Sequence, residues 1–282
     1  MPPIAYLNGQ FLPLEQARVS IDDRGFQFGD GVYEVVRVYG GKPFRLDAHL
    51  NRLERSAQAV RIPMTLDTEE WRRVIREGIE RSQWNESKVY IQITRGVAPR
   101  EHTFPSSSIP TILMTVHEIA KIDARLREGG VSAITLPDQR WGRCSIKSLN
   151  LLPNILAKQQ AKEQGAFEAI LIKEGVVTEG TSSNVMMASR DVLVTPSLSD
   201  QLLAGVTRQE LLALARQAGV QVEERVIKKE ELIEAREVLL VGTTIEVIGV
   251  TKIDGKPIGS GRVGSMTQLL QSMFLDAVAK GE

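Results

Sequence analysis

The sequence predicts an α+β fold in two domains. Strand-like segments cluster around hairpin turns, and helical segments are interspersed irregularly instead of alternating strand by strand. The 282 residues are enough for two domains, and a charged, aperiodic stretch at 119–129 follows the last strand of the first half. We therefore predict an N-terminal α/β domain at 1–119, a linker at 120–129 and a C-terminal domain at 130–282.

The first half contains a predicted hairpin at 4–12, with Asn8-Gly9 at its turn, and a β-branched, aromatic strand at 32–39. Asp47 is expected to cap a helix whose apolar stripe is Leu50, Leu53, Ala57 and Val60. Further along, periodicity predicts a helix at 69–82 and strands at 88–94 and 111–116. The segment 95–110 is rich in Gly, Pro and Ser, and its apolar residues follow neither helical nor strand periodicity. Such long connections between elements are often functional.

The second half begins with a predicted strand at 131–136. Thr207 and Glu210 have the spacing of a capping box that would open a helix ended by Gly219. The other elements predicted here are a helix at 151–164, strands at 167–172, 192–195 and 238–241, a hairpin at 251–258 and a final helix at 265–279.

Composition and motifs exclude several classes of protein. Lys+Arg and Asp+Glu both number 35, which argues against a protein that coats nucleic acid or an anionic membrane. A lone cysteine, Cys144, and three dispersed histidines predict no metal site and no disulfide, and fit a reducing, cytoplasmic compartment. No signal peptide or membrane span is expected. The G-x-G-x-x-G at 259–264 lacks the βαβ context of a dinucleotide site.

Three segments carry candidate chemistry. Lys147 lies in an apolar setting, IKSLNLL (146–152), which favours an amine nucleophile over a charged ammonium. TEGTSSN (178–184) puts one carboxylate, Glu179, beside glycine and hydroxyl groups. GVTR (205–208) leads into a helix whose first-turn N–H groups favour a phosphate. Taken singly, each also fits a plain structural role: a snorkelling lysine, a polar turn and a capped helix.

In this order and spacing, the three segments resemble the fold-type IV (class IV) pyridoxal 5′-phosphate-dependent aminotransferases. The resemblance extends from DDRGFQFGDGVYEVVRVY (22–39) to GTTIEV (242–247), and within the family the D-amino acid (D-alanine) aminotransferase branch is most similar. It implies that Lys147 is the catalytic lysine that binds the cofactor and that Glu179 pairs with the pyridine nitrogen. It also implies cofactor-binding roles for Arg52, Ser182, Leu203, Val206, Thr207, Thr243 and Thr244. Arg52 lies off the apolar stripe of its helix, so periodicity by itself predicts a solvated side chain.

The branch is indicated by Arg100 and His102 in TRGVAPREH (94–102), which with Tyr33 resemble the substrate carboxylate trap of D-amino acid aminotransferases. An arginine fork holds a carboxylate in two parallel bonds, and neighbouring His and Tyr groups fix its orientation. The resemblance implies a homodimer in which Arg100 and His102 reach the neighbouring active site. It implies transamination of D-amino acids with a 2-oxo acid acceptor, 2-oxoglutarate, to give D-glutamate and a new 2-oxo acid.

Four alternatives remain open at this level. A branched-chain L-amino acid aminotransferase has the same fold but lacks the Arg-x-His pair, and an aminodeoxychorismate lyase would release pyruvate without a 2-oxo acid acceptor. An (R)-amine transaminase would take substrates that lack a carboxylate. A non-enzymatic small-molecule binding protein also fits the neutral composition. The side-chain preference of the amino donor is not predicted.

Overall fold

The computed structural model describes residues 4–189 and 191–281. The chain divides into two units: the first comprises residues up to Lys121 together with Ile146–Asn150, and the second comprises Ile122–Ser145 and the residues from Leu151 onward. Both units mix helices and sheets, as the predicted α+β class requires. Among the described residues, no helix combines the length and apolar character that a membrane span needs.

The first unit is a six-stranded antiparallel sheet with helices packed on it. Its elements are β1 Ile4–Leu7, β2 Gln10–Pro13, α1 Arg24–Phe28, β3 Gly31–Tyr39, β4 Lys42–Pro43, α2 Leu46–Ala59, α3 Thr68–Ser82, β5 Ser87–Thr94 and β6 Thr111–Glu118. The strand order is β2-β1-β6-β5-β3-β4. Alternate apolar residues of β3, β5 and β6 face the stripes of α2 and α3, which makes one core.

The second unit is a larger mixed sheet. Its elements are α4 Ala124–Gly129, β7 Val131–Pro137, α5 Leu152–Glu163, β8 Glu168–Lys173, β9 Val176–Gly180, β10 Asn184–Ser189, β11 Val192–Thr195, α6 Val206–Gln217, β12 Gln221–Glu224, α7 Lys229–Ile233, β13 Glu237–Gly242, β14 Glu246–Ile253, β15 Lys256–Pro257 and α8 Ser265–Lys280. The order is β12-β11-β10-β13-β14-β7-β8-β9, and β15 pairs with β14. Apolar side chains of these strands form a second core.

The observed division differs from the predicted boundaries in two respects. The segment predicted as a linker at 120–129 contains helix α4, which Asp123 caps by accepting a hydrogen bond from Arg125 N. The segment with Lys147 groups with the first unit and not with the C-terminal one. Its backbone pairs with the start of β3: Tyr33 N donates to Lys147 O (3.0 Å) and Leu149 N to Gly31 O (3.0 Å).

Both side-chain caps proposed from the sequence are wrong. Helix α2 begins after Arg45, which has a left-handed backbone (φ 50°), so Asp47 lies in the first turn and is not the cap. Helix α6 begins after Gly205, which makes no side-chain cap, so Thr207 and Glu210 form no capping box. Strands β9 and β10 were also missed, because polar residues at Thr178–Asn184 favour a turn over a strand.

Candidate active site

Lys147 is held in the first unit by its own backbone. Its N–H donates to Ser56 Oγ of α2 (3.2 Å), and its carbonyl accepts from Tyr33. Glycine at position 31 suits this close packing, because a Cβ there would lie 2.7 Å from both the backbone oxygen of Ile93 and Leu149 Cδ1. The lysine therefore projects from a backbone fixed on two sides.

The structure brings Lys147 together with Tyr33, another residue singled out in the sequence. Lys147 Nζ lies 4.2 Å from the centroid of the Tyr33 ring, and the two side chains are half-buried. The Tyr33 ring in turn lies 5.9 Å from the ring of Tyr90. Burial raises the pKa of Tyr90 to about 12, so this phenol stays protonated at neutral pH. The amine thus faces an aromatic wall.

A buried ionic network lies between β3 and α2. Both carboxylate oxygens of Glu34 accept from Arg52, at 2.7 and 2.9 Å, and Glu34 Oε1 also lies 3.0 Å from His49 Nδ1. Burial by itself would raise the pKa of Glu34. Arg52 and His49 nevertheless hold this pKa well below its ordinary value. Burial lowers the pKa of His49, against the opposing effect of Glu34. The expectation that Arg52 is solvated is therefore wrong: an ionic partner on the strand compensates its burial.

Arg100 and His102 lie in the connection between β5 and β6, also in the first unit. Both are exposed. The Arg100 guanidinium lies 4.7 Å from the centroid of the Phe28 ring, and the His102 ring lies 5.5 Å from it. The structure thus gathers this pair around one aromatic side chain.

Glu179 lies on β9 in the second unit, with both carboxylate oxygens engaged. Arg140 Nη1 donates to Oε1, while Asn184 Nδ2 (3.0 Å) and the backbone N–H of Leu203 (3.1 Å) donate to Oε2. The carboxylate is buried, and an adjacent guanidinium stabilises its negative charge. Leu203 is half-buried and meets Glu179 through its main chain.

Arg140 is itself held in place by Asp138. Two donors of Arg140 contact the Asp138 carboxylate at 2.7 and 2.9 Å, and Thr178 Oγ1 donates to the same carboxylate at 2.8 Å. Burial by itself would lower the pKa of Arg140 and raise the pKa of Asp138. The ion pair between them outweighs burial, so the pKa of Arg140 is raised and the pKa of Asp138 is lowered. Asp138, Arg140 and Glu179 thus form a chain of alternating charge.

The N-terminus of α6 lies beside this chain. Val206 and Thr207 are buried in its first turn, where backbone N–H groups have no acceptor within the helix. A Cβ at Gly205 would lie 2.0 Å from Asn184 Oδ1, so only glycine allows this approach. The uncapped helix end and the Glu179 carboxylate are therefore linked through Asn184.

Ser182, Thr243 and Thr244 occupy two neighbouring turns. Ser182 is in the β9–β10 turn, and the two threonines follow β13. A Cβ built at Gly242 would lie 3.5 Å from Ser182 O, so the two turns are adjacent. Beneath the first turn, the buried Glu168 accepts from Thr181 Oγ1 (2.5 Å) and Ser183 Oγ (3.0 Å).

Several residues of these networks were missed by the sequence analysis: Glu34, His49, Asp138, Arg140, Glu168 and Asn184. Glu34 had a usable signal, because it and Arg37 are the two charged residues in the otherwise β-branched and aromatic strand 32–39. His49 and Arg52 are also three residues apart on one helix face. Asp138 and Arg140 lie in an irregular segment whose pattern carries no such signal.

The amino-transferase class IV family model matches residues 31–253. The chain belongs to this family. Among similar curated proteins, the D-alanine aminotransferase of Bacillus licheniformis is 44% identical over 96% of this chain and 95% of its own length. The D-alanine aminotransferase of Listeria monocytogenes (strain EGD-e) is 40% identical over 97% of this chain and 96% of its own.

Solved structures of class IV aminotransferases have the same fold. The Escherichia coli branched-chain amino acid aminotransferase superposes with a TM-score of 0.92 at 26% identity, covering 98% of this chain and 94% of its own. The branched-chain amino acid aminotransferase of T.th., solved with pyridoxamine 5′-phosphate, also scores 0.92, at 27% identity, covering 100% and 96%. The expected fold-type IV class is confirmed.

Proposed function

We propose that this protein transfers the amino group of D-amino acids of the D-alanine type to 2-oxoglutarate, giving D-glutamate and a 2-oxo acid. The observation that carries the proposal is the identity of 38–44% over nearly the whole chain to D-alanine aminotransferases of several bacteria. The Arg100 and His102 pair supports the same branch, because it supplies a binding site for a substrate carboxylate.

The residues of each unit fit pyridoxal 5′-phosphate as the cofactor. In the second unit, Glu179 offers a buried carboxylate for a protonated pyridine nitrogen, and the uncapped start of α6 at Val206 and Thr207 offers N–H donors for a phosphate. In the first unit, Lys147 offers the amine and Arg52 a cation for the phosphate. Ser182, Leu203, Thr243 and Thr244 are proposed as further cofactor contacts.

Lys147 has the central role in the proposed reaction. When bound, the cofactor supplies a carbonyl group that exchanges amino groups and a ring that accepts electrons. Lys147 Nζ first anchors the cofactor and then, as a free amine, takes the proton from Cα of the amino acid. The Tyr33 ring, 4.2 Å from this nitrogen, limits the directions from which the amine reaches Cα.

Selection of the D enantiomer is proposed to rest on Tyr33, Arg100 and His102. Fixing the α-carboxylate on one side decides which enantiomer presents its α-hydrogen to Lys147. Arg100 supplies a bidentate fork for that carboxylate, and His102 and Tyr33 supply oriented polar groups. A substrate without a carboxylate gains nothing from these groups.

The cofactor assignment is tested by borohydride reduction of the purified protein. We expect a yellow protein that bleaches on reduction and carries a phosphopyridoxyl adduct on Lys147 by mass spectrometry. Lys252→Ala, which alters an exposed lysine, should retain the adduct, and Lys147→Ala should lose it. A colourless protein would contradict the cofactor assignment and leave the binding-protein alternative, whereas an adduct on another lysine would contradict the role of Lys147.

Substrate chirality separates the proposed activity from the other enzymes of this fold. With 2-oxoglutarate as acceptor, D-alanine should yield D-glutamate and pyruvate, and L-alanine or L-leucine should yield little product by chiral chromatography. L-glutamate from L-leucine would indicate a branched-chain aminotransferase. Pyruvate released from aminodeoxychorismate without any acceptor would indicate the lyase.

We also propose a homodimer in which Arg100 and His102 serve the neighbouring active site. The loop that carries them exposes large apolar side chains, with Val97 at 51% and Ile109 at 83% exposure, which suits burial against a second copy. Mixing two inactive variants, Lys147→Ala and Arg100→Ala, tests the exchange. If Arg100 acts across the interface, the hybrid dimer regains one intact site, whereas an arrangement within one chain gives no recovery.

A cytoplasmic location is proposed from cysteine usage. Cys144 is a free, buried thiol, and burial raises its pKa to about 11, so little thiolate forms at neutral pH. This supports an inert packing role for Cys144, and the single cysteine of the sequence fits a reducing compartment. Fractionation of cells that express the protein at native level would test the location.

A further inference from the structure

The aromatic ring of Phe28 contacts both side chains that are proposed to bind the substrate carboxylate. The Arg100 guanidinium lies 4.7 Å from the ring centroid, and the His102 ring lies 5.5 Å away at an interplanar angle of 46°. Both Arg100 and His102 are otherwise exposed. A long exposed arginine samples many rotamers, so a fixed ring lowers the entropy that carboxylate binding would otherwise cost.

The backbone between these two side chains is held by Arg24, which is buried. Arg24 Nη1 donates to the carbonyl of Glu101 at 2.6 Å, and the guanidinium also lies 4.9 Å from the Phe28 centroid. Arg24 Nε donates to Asp30 at 2.8 Å, which fixes the arginine itself. Burial by itself would raise the pKa of Asp30. Arg95 and Arg24 nevertheless hold this pKa below its ordinary value, so the carboxylate that fixes Arg24 stays anionic.

Both ends of the loop converge on one carboxylate. Thr94 precedes the loop and Thr111 follows it, and their hydroxyl groups donate to Asp23 Oδ2 at 2.9 and 2.6 Å. The other oxygen of Asp23 caps α1 by accepting from Gly25 N at 2.8 Å. Asp23 is completely buried, so the base of the loop and the start of α1 form one rigid element.

We propose that Phe28 and Arg24 are positioning residues for the carboxylate trap, preassembled on α1 of the same chain. This inference rests on the proposed function, because it assigns Arg100 and His102 to the substrate carboxylate. Phe28 orients the two side chains, Arg24 fixes the peptide between them, and Asp23 joins the loop to the helix. The Arg100 and His102 part of the trap is therefore held within one chain, whichever active site these two side chains serve.

The test compares Phe28→Leu with Phe26→Leu in the holoenzyme. Phe26 belongs to the same five-residue helix but is 76% exposed, so it controls for loss of an aromatic residue on α1. For Phe28→Leu we expect KM for D-alanine and 2-oxoglutarate to rise about tenfold, with kcat changed far less. Propionate, which has a carboxylate and no amino group, should bind about tenfold more weakly by calorimetry. Phe28→Tyr, which keeps the ring, should restore both values.

A spectroscopic readout separates this inference from the proposed function. The chain has three histidines, so histidine-labelled protein gives a simple carbon–proton spectrum, in which His102→Gln identifies the His102 signal. The ring current of Phe28 should shift that signal, and Phe28→Leu should remove the shift while Phe26→Leu leaves it. If the wild type makes no D-glutamate but Phe28→Leu still loses the His102 shift, the proposed function fails and the positioning role of Phe28 stands.

Unchanged KM values, propionate affinity and His102 shift in Phe28→Leu would overturn the inference. If that variant does not fold, Arg24→Lys carries the same test, because it keeps the charge beside Asp30 but removes the fork that reaches Glu101. It should raise both KM values and shift the His102 signal. Normal KM values and an unshifted signal in Arg24→Lys would equally overturn the inference.

Discussion

Arg52 meets both carboxylate oxygens of Glu34 inside the first unit, with Nη2 2.7 Å from Oε1 and Nε 2.9 Å from Oε2. The arginine belongs to α2 and the glutamate to β3, so the pair joins helix to sheet through two charge-assisted bonds. His49, one turn before Arg52, completes the network on Oε1. A residue proposed to bind a phosphate is thus oriented by a buried anion before any ligand arrives.

Removing the anion should destabilise the protein strongly. Glu34→Gln leaves the Arg52 charge buried without its counter-ion, which costs about 3–5 kcal/mol of unfolding free energy. Glu54→Gln on the exposed face of α2 should cost within about 0.5 kcal/mol. Urea unfolding measures both. A loss below about 1 kcal/mol for Glu34→Gln would show that the pair contributes little.

Buried His49 should make stability depend on pH. Burial lowers its pKa below the ordinary 6.5, so in the range between the two values the unfolded chain binds a proton that the folded chain does not. The unfolding free energy should therefore fall as pH decreases from about 7, by at most about 1.4 kcal/mol per unit for this one group. His49→Gln should reduce this slope between pH 7 and 5.5, leaving the part due to His117, whose pKa burial also lowers. A slope in His49→Gln equal to that of the wild type would exclude His49 as a cause.

Much of the first unit could be predicted because its apolar pattern is regular. The strand at 88–94 alternates and was observed as Ser87–Thr94, and the helix expected at 69–82 was observed as Thr68–Ser82. In each case one face is buried and one is solvated, so the periodicity of the sequence reflects the periodicity of burial. The capping box of Asp67 and Glu70 defines the start of that helix.

The site was harder to predict because its polar residues are buried in pairs from distant parts of the chain. Periodicity predicts a solvated Arg52 since its partner, Glu34, lies on another element. Glu179 belongs to a strand that polar neighbours disguise as a turn, and Arg140 reaches it from an irregular segment 39 residues earlier. Resemblance to a family predicts roles for Lys147 and Glu179, whereas the networks that hold these two side chains are formed only by the folded chain.

The Arg140 fork should matter for activity beyond its charge. Arg140→Lys keeps a cation near Glu179 but cannot contact Asp138 and Glu179 in the same geometry. A misplaced Glu179 should lower kcat about 100-fold, because small displacements of a positioned group are costly. The exposed Arg143→Lys serves as the matched control and should keep normal kcat. Normal turnover in Arg140→Lys would mean that Asn184 and Leu203 suffice to hold the carboxylate.

Gly205 should be intolerant of even one methyl group. Alanine there would bring its Cβ 2.0 Å from Asn184 Oδ1, so Asn184 must move away from Glu179 or the start of α6 must shift. Both changes weaken the proposed cofactor site, and we expect the dissociation constant for pyridoxal 5′-phosphate, measured by fluorescence titration of the apoprotein, to rise at least tenfold. Gly142→Ala is the control, since a Cβ at Gly142 meets nothing within 4 Å. If Gly205→Ala binds the cofactor as tightly as Gly142→Ala, the helix start is not part of the site.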